Sequence, residues 1–191
     1  MFAIGRFPIR WHVAGLTLTG VLFSLAISQR GVLGETTNSR AACDIEALFS
    51  PGGGCADRIV EEIGAAKESV RVQVYFFTSK PIANALVAAK KRGVHVEVIL
   101  DKSQEKMTYG RFRVLRRAGI GVYFDREHST ANNKIILIDD RTIITGSYNF
   151  TKAAEEKNAE NVLIIKGDAD LFERYLENYQ RHRAHSKRYT K

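Results

Sequence analysis

Hydrophobic and polar residues follow two different periods along this chain. The stretch 70–77 (VRVQVYFF) alternates apolar and polar positions, which predicts a half-buried β-strand. The stretch 80–92 has helical spacing instead, with Pro81 suited to the first turn of a helix and Gly93 to its end. These patterns predict strands at 44–50, 70–77, 94–100, 120–124, 134–139, 142–145 and 161–166 and helices at 55–67, 80–92, 102–118 and 169–182.

The alternation of strands with helices predicts an α/β fold, in which a mostly parallel mixed β-sheet is sandwiched between helices in one domain. A length of 191 residues allows one ordinary domain. With 45% apolar residues and three prolines, the chain can form a packed core, which excludes wholesale disorder. Two cysteines are too few for a disulfide scaffold or a cysteine-rich zinc site.

The beginning of the chain has the features of a secretory signal peptide. Arg6 and Arg10 precede the apolar run 13–27, and the small residues around Ala26 suit cleavage after Ser28. The apolar run is short for a membrane-spanning helix, which needs about 20 residues. We therefore expect export to the periplasm or beyond. An uncleaved inner-membrane anchor is the alternative, and only that form would contact a membrane.

Export would expose Cys43 and Cys55 to an oxidising compartment. The predicted strand between them separates the two residues by roughly 20 Å, whereas the Cα atoms of a disulfide lie within about 7 Å. The spacing therefore argues against a pair, although a bend in the following loop would permit one.

The net charge of +8 is concentrated outside the folded body. Of the 29 basic residues, four lie in 1–40 and five in 181–191, which leaves 20 basic and 20 acidic residues in 41–180. A basic segment and a basic tail suit contact with a phosphate backbone, and a solvated helix face with a disordered tail is the alternative. The candidate backbone contacts are Lys102, Lys106, Arg111 and Arg113.

The predicted segments are a signal peptide at 1–28, a linker at 29–40, a folded domain at 41–180 and a basic tail at 181–191.

The most informative stretch runs from Asn132 to Asn161. It contains five residues with the spacing K-x4-D-x6-G-S-x-N, followed by an acidic residue. These residues are Lys134, Asp139, Gly146, Ser147, Asn149 and Glu160.

This spacing resembles the HKD motif, H-x-K-x4-D-x6-G-S-x-N, of the phospholipase D superfamily. The resemblance is closest to its small exported bacterial endonucleases, which carry one motif per chain. It spans roughly 41–180 and includes FTS at 77–79 and VILDKSQ at 98–104. It implies a phospholipase D-like nuclease domain that hydrolyses phosphodiesters without a metal or any other cofactor.

In that family one histidine attacks phosphorus to form a phosphohistidine, and a histidine from a second motif protonates the leaving group. By position, the resemblance makes Lys134 a cationic phosphate ligand and makes Ser147 and Asn149 polar phosphate ligands. Glu160 matches the carboxylate that orients the histidine ring. Asp139 matches a residue that supports the structure rather than the chemistry.

Asn132 occupies the position of the nucleophilic histidine. A carboxamide is a poor nucleophile and proton carrier near pH 7, where imidazole titrates. His128 lies out of register and is interpreted as a surface or rim residue, while His182 and His185 fall in the predicted tail. Two explanations stay open: an inactivating substitution in a competent nuclease, or a natural variant that binds without cleaving. In either case we expect little or no turnover, and we expect Asn132→His to create it.

One motif per chain implies a C2 homodimer with the site at its interface. The leading hypothesis is an endonuclease-type phosphodiesterase that acts on DNA or RNA with little sequence preference. A catalytically silent nucleic-acid-binding dimer is one alternative. A phospholipase D that acts on lipid headgroups is the other.

Overall fold

An eight-stranded β-sheet forms the central layer of the structure, a computed structural model that describes residues 43–190. The predicted signal peptide and linker lie outside these residues. The strands are β1 (Asp44–Ser50), β2 (Ser69–Val74), β3 (His95–Asp101), β4 (Gly121–Asp125), β5 (Lys134–Ile138), β6 (Thr142–Gly146), β7 (Glu160–Lys166) and β8 (Lys187–Arg188). The helices are α1 (Cys55–Ala65), α2 (Lys80–Lys91), α3 (Phe112–Arg117), α4 (Lys152–Glu156) and α5 (Ala169–His185), and a 3-10 helix spans Lys102–Lys106.

The predicted α/β fold is confirmed, but the expectation of a mostly parallel sheet is wrong. The strand order is β1-β7-β6-β5-β2-β3-β4-β8. Among the described strands, only the β2–β3 and β3–β4 pairs are parallel, and the other five pairs are antiparallel. One reason is the three-residue turn between β5 and β6, which returns the chain antiparallel to the strand it has just left, whereas parallel neighbours need a longer crossover.

Helices cover both faces of the sheet, as the sequence predicted. Helices α1, α2 and α3 pack on one face through residues such as Ile59, Leu86 and Phe112, which belong to the larger apolar cluster. Helix α5 packs on the other face through Phe172 and Tyr179. The two clusters use alternate residues of the same strands, because successive side chains of a strand point to opposite faces.

The predicted basic helix at 102–118 is two separate helices. The 3-10 helix ends at Lys106, and α3 begins only at Phe112. Gln104 is buried, and its Oε1 accepts a hydrogen bond from the backbone N–H of Phe77 at 3.3 Å. Phe112 is also fully buried, and the loop between the two helices allows both side chains to reach the interior.

The predicted basic tail at 181–191 is part of the fold over its described residues. Helix α5 continues to His185, and β8 pairs with β4 at Tyr123 and Phe124. The aromatic ring of Tyr189 packs against Phe112 and Phe124 at centroid distances of 5.2 and 5.8 Å. These apolar contacts order a segment that composition alone would leave in solvent.

Cys43 is exposed, Cys55 is buried, and both thiols are free. Between residues 43 and 190, no helix is long and apolar enough to cross a membrane.

Candidate functional site

Three neighbouring antiparallel strands bring the motif residues together at one end of the strands. Lys134 begins β5, Gly146 ends β6 and Glu160 begins β7. Because neighbouring strands run in opposite directions, the start of β5, the end of β6 and the start of β7 lie side by side. The tertiary structure thereby gathers residues that are up to 26 positions apart in sequence.

Lys134 and Asn132 are in direct contact. The Lys134 ammonium donates hydrogen bonds to the backbone oxygen of Asn132 at 2.7 Å and to its Oδ1 at 2.6 Å. The ammonium also lies 5.7 Å from the centre of the Tyr75 ring. Burial lowers the pKa of Lys134, and the negative charge of Glu160 opposes that shift. The cation therefore belongs to one cluster with Asn132, the residue at the predicted histidine position.

Asn161, in β7, holds Ser147, which directly follows β6. The Asn161 Oδ1 accepts from the Ser147 N–H at 3.0 Å, and the Ser147 Oγ accepts from the Asn161 N–H at 3.1 Å. Gly146 permits this approach, because a Cβ there would meet the Asn161 carbonyl oxygen at 2.2 Å. Sequence reasoning gave Asn161 no role, although it directly follows the predicted Glu160.

Asn149 is anchored to the segment that directly follows β2. Its Oδ1 accepts from the Phe76 N–H at 3.2 Å, and the neighbouring Phe150 N–H donates to the Phe76 carbonyl at 3.0 Å. These bonds engage the oxygen of the Asn149 carboxamide. The NH2 group of the same side chain can donate to an anion.

Glu160 is partly buried and accepts a hydrogen bond from the Asn158 Nδ2 at 3.0 Å. It also faces Ser50 across the β1–β7 pair, and the Ser50 Oγ donates to the Asn158 carbonyl at 3.2 Å. Glu160 thus has a fixed position near the cationic group of Lys134, whose pKa it influences.

Asp139 lies at the opposite end of β5 from Lys134. Its carboxylate accepts hydrogen bonds from the backbone N–H groups of Lys67, Glu68 and Ser69 at 2.7, 2.8 and 2.9 Å. Burial would raise the pKa of Asp139, but these three bonds hold it below its usual value. The carboxylate fastens the start of β2 to the end of β5, at the other end of β5 from Lys134.

Three of the four basic residues that the sequence suggests for backbone contacts donate hydrogen bonds to carbonyl oxygens of the chain itself. Lys102 donates to the His128 carbonyl at 2.8 Å, and Arg111 donates to the Thr78 carbonyl at 2.9 Å. Arg113 donates to the Met107 carbonyl at 3.1 Å and, like Lys106, is exposed. These three cations therefore support the structure of the chain while remaining at least partly accessible.

An open cleft of about 600 Å³ borders the motif. It is lined by the segment 132–135, by Thr145 and Gly146, and by one side of α5. That side of α5 adds two cations, Arg174 and Arg181, which sequence reasoning did not assign to the site. Their spacing of seven residues, which places both on one face of a helix, is the sequence signal that could have identified them.

Three histidines meet away from the motif position. His128, His182 and His185 surround the buried carboxylate of Asp125. The expectation that His182 and His185 lie in a tail is wrong, because both belong to α5. His128 is at the surface as predicted, with 45% of its side chain exposed. The H-x-x-H spacing at the end of a helix could have revealed this cluster.

Comparisons with known proteins agree with the geometry. A family model for the PLD-like domain of cardiolipin synthase matches residues 59–183, which is more than half of the chain. The chain belongs to the phospholipase D-like (PLD-like) family. The predicted membership is thereby confirmed, and so is the predicted class of enzyme at the level of the family, whose members include hydrolases such as phospholipase D and cardiolipin hydrolase.

Two curated relatives of this PLD-like chain carry names of lipid hydrolases. It is 38% identical to the phospholipase D of Rickettsia conorii over 161 residues, which cover 84% of this chain and 80% of the relative. It is 32% identical to the mitochondrial cardiolipin hydrolase of Mus musculus over 158 residues, which cover 75% of this chain and 71% of the relative.

Two solved structures share the fold of this chain. Nuc from Salmonella typhimurium, a phospholipase D family member, superposes with a TM-score of 0.75 at 34% identity and covers 78% of this chain and 100% of its own. NucT from Helicobacter pylori superposes with a TM-score of 0.71 at 23% identity over the same shares, which supports the fold alone.

Proposed function

We propose that this PLD-like chain binds the phosphodiester backbone of nucleic acid as a homodimer, and that Asn132 suppresses a hydrolysis for which the rest of the site is equipped. The single observation that carries the proposal is the contact of the Lys134 ammonium with Asn132, beside Ser147 and Asn149. A cation with polar side chains on the neighbouring segment suits the non-bridging oxygens of a phosphodiester.

The charge of the cleft supports an extended anionic ligand. Lys134, Arg174 and Arg181 line it, and Glu177 is the one acidic residue among its lining residues. A row of cations that reaches from the sheet edge along α5 suits consecutive phosphates better than a single small anion. Because no base-reading element adjoins the described cleft, we expect binding with little sequence preference.

The proposed lack of turnover follows from the chemistry of position 132. Formation of a phosphohistidine requires an imidazole there, and Asn132 offers a carboxamide whose oxygen already accepts from Lys134. Lys134, Ser147, Asn149 and Glu160 remain in place. We therefore expect retention of phosphate binding together with loss of the covalent step.

A second copy of the chain is the proposed source of the other half of the site. Strand β1 is an edge of the sheet and exposes Ile45, Ala47 and Phe49 on one face, with Ile45 60% and Phe49 64% exposed. Phe49 pairs with Asn161, the residue that holds Ser147. This apolar stripe adjoins the motif, so a partner seated on it would bring its own motif close.

Plasmid cleavage tests the proposal directly. Supercoiled plasmid is incubated in EDTA with the unmodified chain, with Asn132→His and with Asn133→His, a control that adds the same ring one residue out of register. We expect Asn132→His to nick the plasmid at least about 100-fold faster than the other two proteins. The unmodified chain should retain DNA in a salt-dependent manner without cutting it. The proposal is wrong if the unmodified chain degrades plasmid at a rate that Asn132→His does not raise.

A phospholipid headgroup is the second candidate substrate, favoured by the names of the relatives from Rickettsia conorii and Mus musculus. The same three proteins are offered vesicles that contain cardiolipin or phosphatidylcholine. Headgroup release by Asn132→His in the absence of plasmid cleavage would replace the nucleic-acid proposal with the lipid one. Export of the chain also remains a prediction, which rests on the predicted signal peptide at 1–28.

A further inference from the structure

The cluster at the end of β4 has the composition of a metal site. Asp125 is completely buried, while His128, His182 and His185 are partly accessible from solvent. One ligand atom from each of the four residues lies within 4.8 Å of the other three. We propose that these four side chains bind a zinc ion that cross-links α5 to the loop between β4 and β5.

The distances around Asp125 suit four-coordinate binding. Its Oδ2 lies 2.7 Å from the Nδ1 of His182, 3.0 Å from the Nδ1 of His128 and 3.2 Å from the Nε2 of His185. The ligand atoms of a tetrahedral zinc site are separated by about 3.3 Å, given bonds of about 2.0 Å. Modest outward shifts of the three rings would therefore place an ion at the centre of the cluster.

Hydrogen bonding alone leaves part of this cluster unsatisfied. The other carboxylate oxygen of Asp125 already accepts from the backbone N–H groups of Glu127 and His128 at 3.1 and 3.4 Å. Three imidazole nitrogens then crowd around the remaining oxygen, Oδ2, and the Nδ1 of His128 also lies 3.2 Å from Oδ1. The Nε2 of His185 is buried and has no hydrogen-bond partner, although it points into the cluster. A coordinated cation would satisfy that nitrogen, because a neutral imidazole binds metal through its lone pair.

The donor set favours zinc over the hard cations. Three imidazoles and one carboxylate suit Zn²⁺ and related transition metals, whereas Ca²⁺ and Mg²⁺ prefer sites built from oxygen. Four protein ligands complete a tetrahedron and leave no position for a reacting water. The proposed ion is therefore structural, and it is separate from the phosphate ligands of the motif.

The four residues come from two separate segments of the chain. Asp125 and His128 lie at the end of β4 and in the loop that leads to Asn132. His182 and His185 are three residues apart on one face of α5. Asp101 already pins this loop, since its Oδ2 accepts from the Ala131 N–H at 2.8 Å. Zinc would add a second restraint on the loop that carries position 132.

Metal titration of the full chain tests the proposal. After treatment with a chelator, the chain is titrated with Zn²⁺ by calorimetry and with Co²⁺ by visible absorption. We expect one ion per chain and the intense absorption of tetrahedral Co²⁺. Free Zn²⁺ at about 100 times its Kd should raise the unfolding midpoint by about 5 °C or more.

Single substitutions locate the ion. We expect His128→Gln and His185→Gln to weaken Zn²⁺ binding by about 100-fold or more, since even losses outside the ligand shell cost 10–100-fold. His95→Gln is the matched control, because His95 is 62% exposed on its side chain and lies outside the cluster. Thermal melts without metal establish that each variant folds. Absence of binding, equal binding by the cluster variants, or equal loss in His95→Gln would each overturn the proposal.

Discussion

Lys134 donates two hydrogen bonds to the same residue, Asn132, at 2.6 Å to the side-chain oxygen and at 2.7 Å to the backbone oxygen. The cation proposed to hold a phosphate is therefore directed at the position where the motif predicts a histidine. Because Asn132 lies in the loop only two residues before Lys134, the first residue of β5, a short segment fixes their separation. A ligand phosphate would compete with the Asn132 carboxamide for this ammonium.

Replacement of Lys134 should weaken backbone binding uniformly across sequences. We expect Lys134→Gln to lower DNA affinity and to reduce the slope of log K against log salt by about 1 per chain, since one phosphate contact is lost. Lys91→Gln is the control, because it removes the same charge from an exposed position at the end of α2. Fluorescence anisotropy at several salt concentrations gives both values. An unchanged slope in Lys134→Gln would remove Lys134 from the phosphate site.

Asp139 should contribute to stability in a pH-dependent manner. Its pKa is lowered in the folded state, so its contribution is present above the unfolded value of about 3.9 and is lost as the pH falls through the folded value. We expect Asp139→Asn to cost about 2 kcal/mol at pH 7, and we expect this difference to shrink in acid below about pH 4. Urea unfolding at several pH values measures it.

Asp140 provides the control for that experiment. It shares the φ of +51° found at Asp139, but its carboxylate is largely exposed and pairs with Arg71 at 2.9 Å. Asp140→Asn should cost less than about 1 kcal/mol, as is typical of exposed ion pairs. Equal losses in the two variants would contradict the structural role of Asp139.

Gly146 should not tolerate a side chain. Its φ is +148°, and an added Cβ would meet the Asn161 carbonyl oxygen at 2.2 Å. We expect Gly146→Ala to destabilise the chain by about 2 kcal/mol or more and to disturb Ser147. Gly64→Ala is the control, since nothing lies within 4 Å of its added Cβ in α1. There we expect a gain of about 0.5–1 kcal/mol, so thermal melts should move in opposite directions.

The apolar stripe on β1 should carry the proposed dimer. We expect Phe49→Glu to weaken self-association by at least about 30-fold, because a charge would replace a central aromatic contact. Val114→Glu introduces the same charge at another exposed apolar residue, on α3, and should leave the dimer intact. Sedimentation equilibrium distinguishes the two. A monomeric unmodified chain at micromolar concentration would eliminate the dimer itself.

Local patterning was sufficient for most of the elements. The predicted strand at 44–50 coincides with β1, and the predicted helix at 80–92 differs from α2 by one residue. The short helix α4 and strand β8 had too few residues to produce a periodic signal. The segment 102–118 was misjudged because a run of charged residues suits a helix, while two buried side chains and the intervening loop decide its actual course.

The sequence by itself determined the family, the motif and the chemical deficit at Asn132, because these depend only on residue types at fixed spacing. Only the tertiary structure decided which residues meet. Antiparallel pairing placed Lys134, Gly146 and Glu160 side by side at one end of their strands, and Asp139 beyond the opposite end of β5. Packing of α5 brought His182 and His185 to Asp125, across 57 or more residues of chain. Such encounters follow from long-range burial of apolar surface, which no local spacing records.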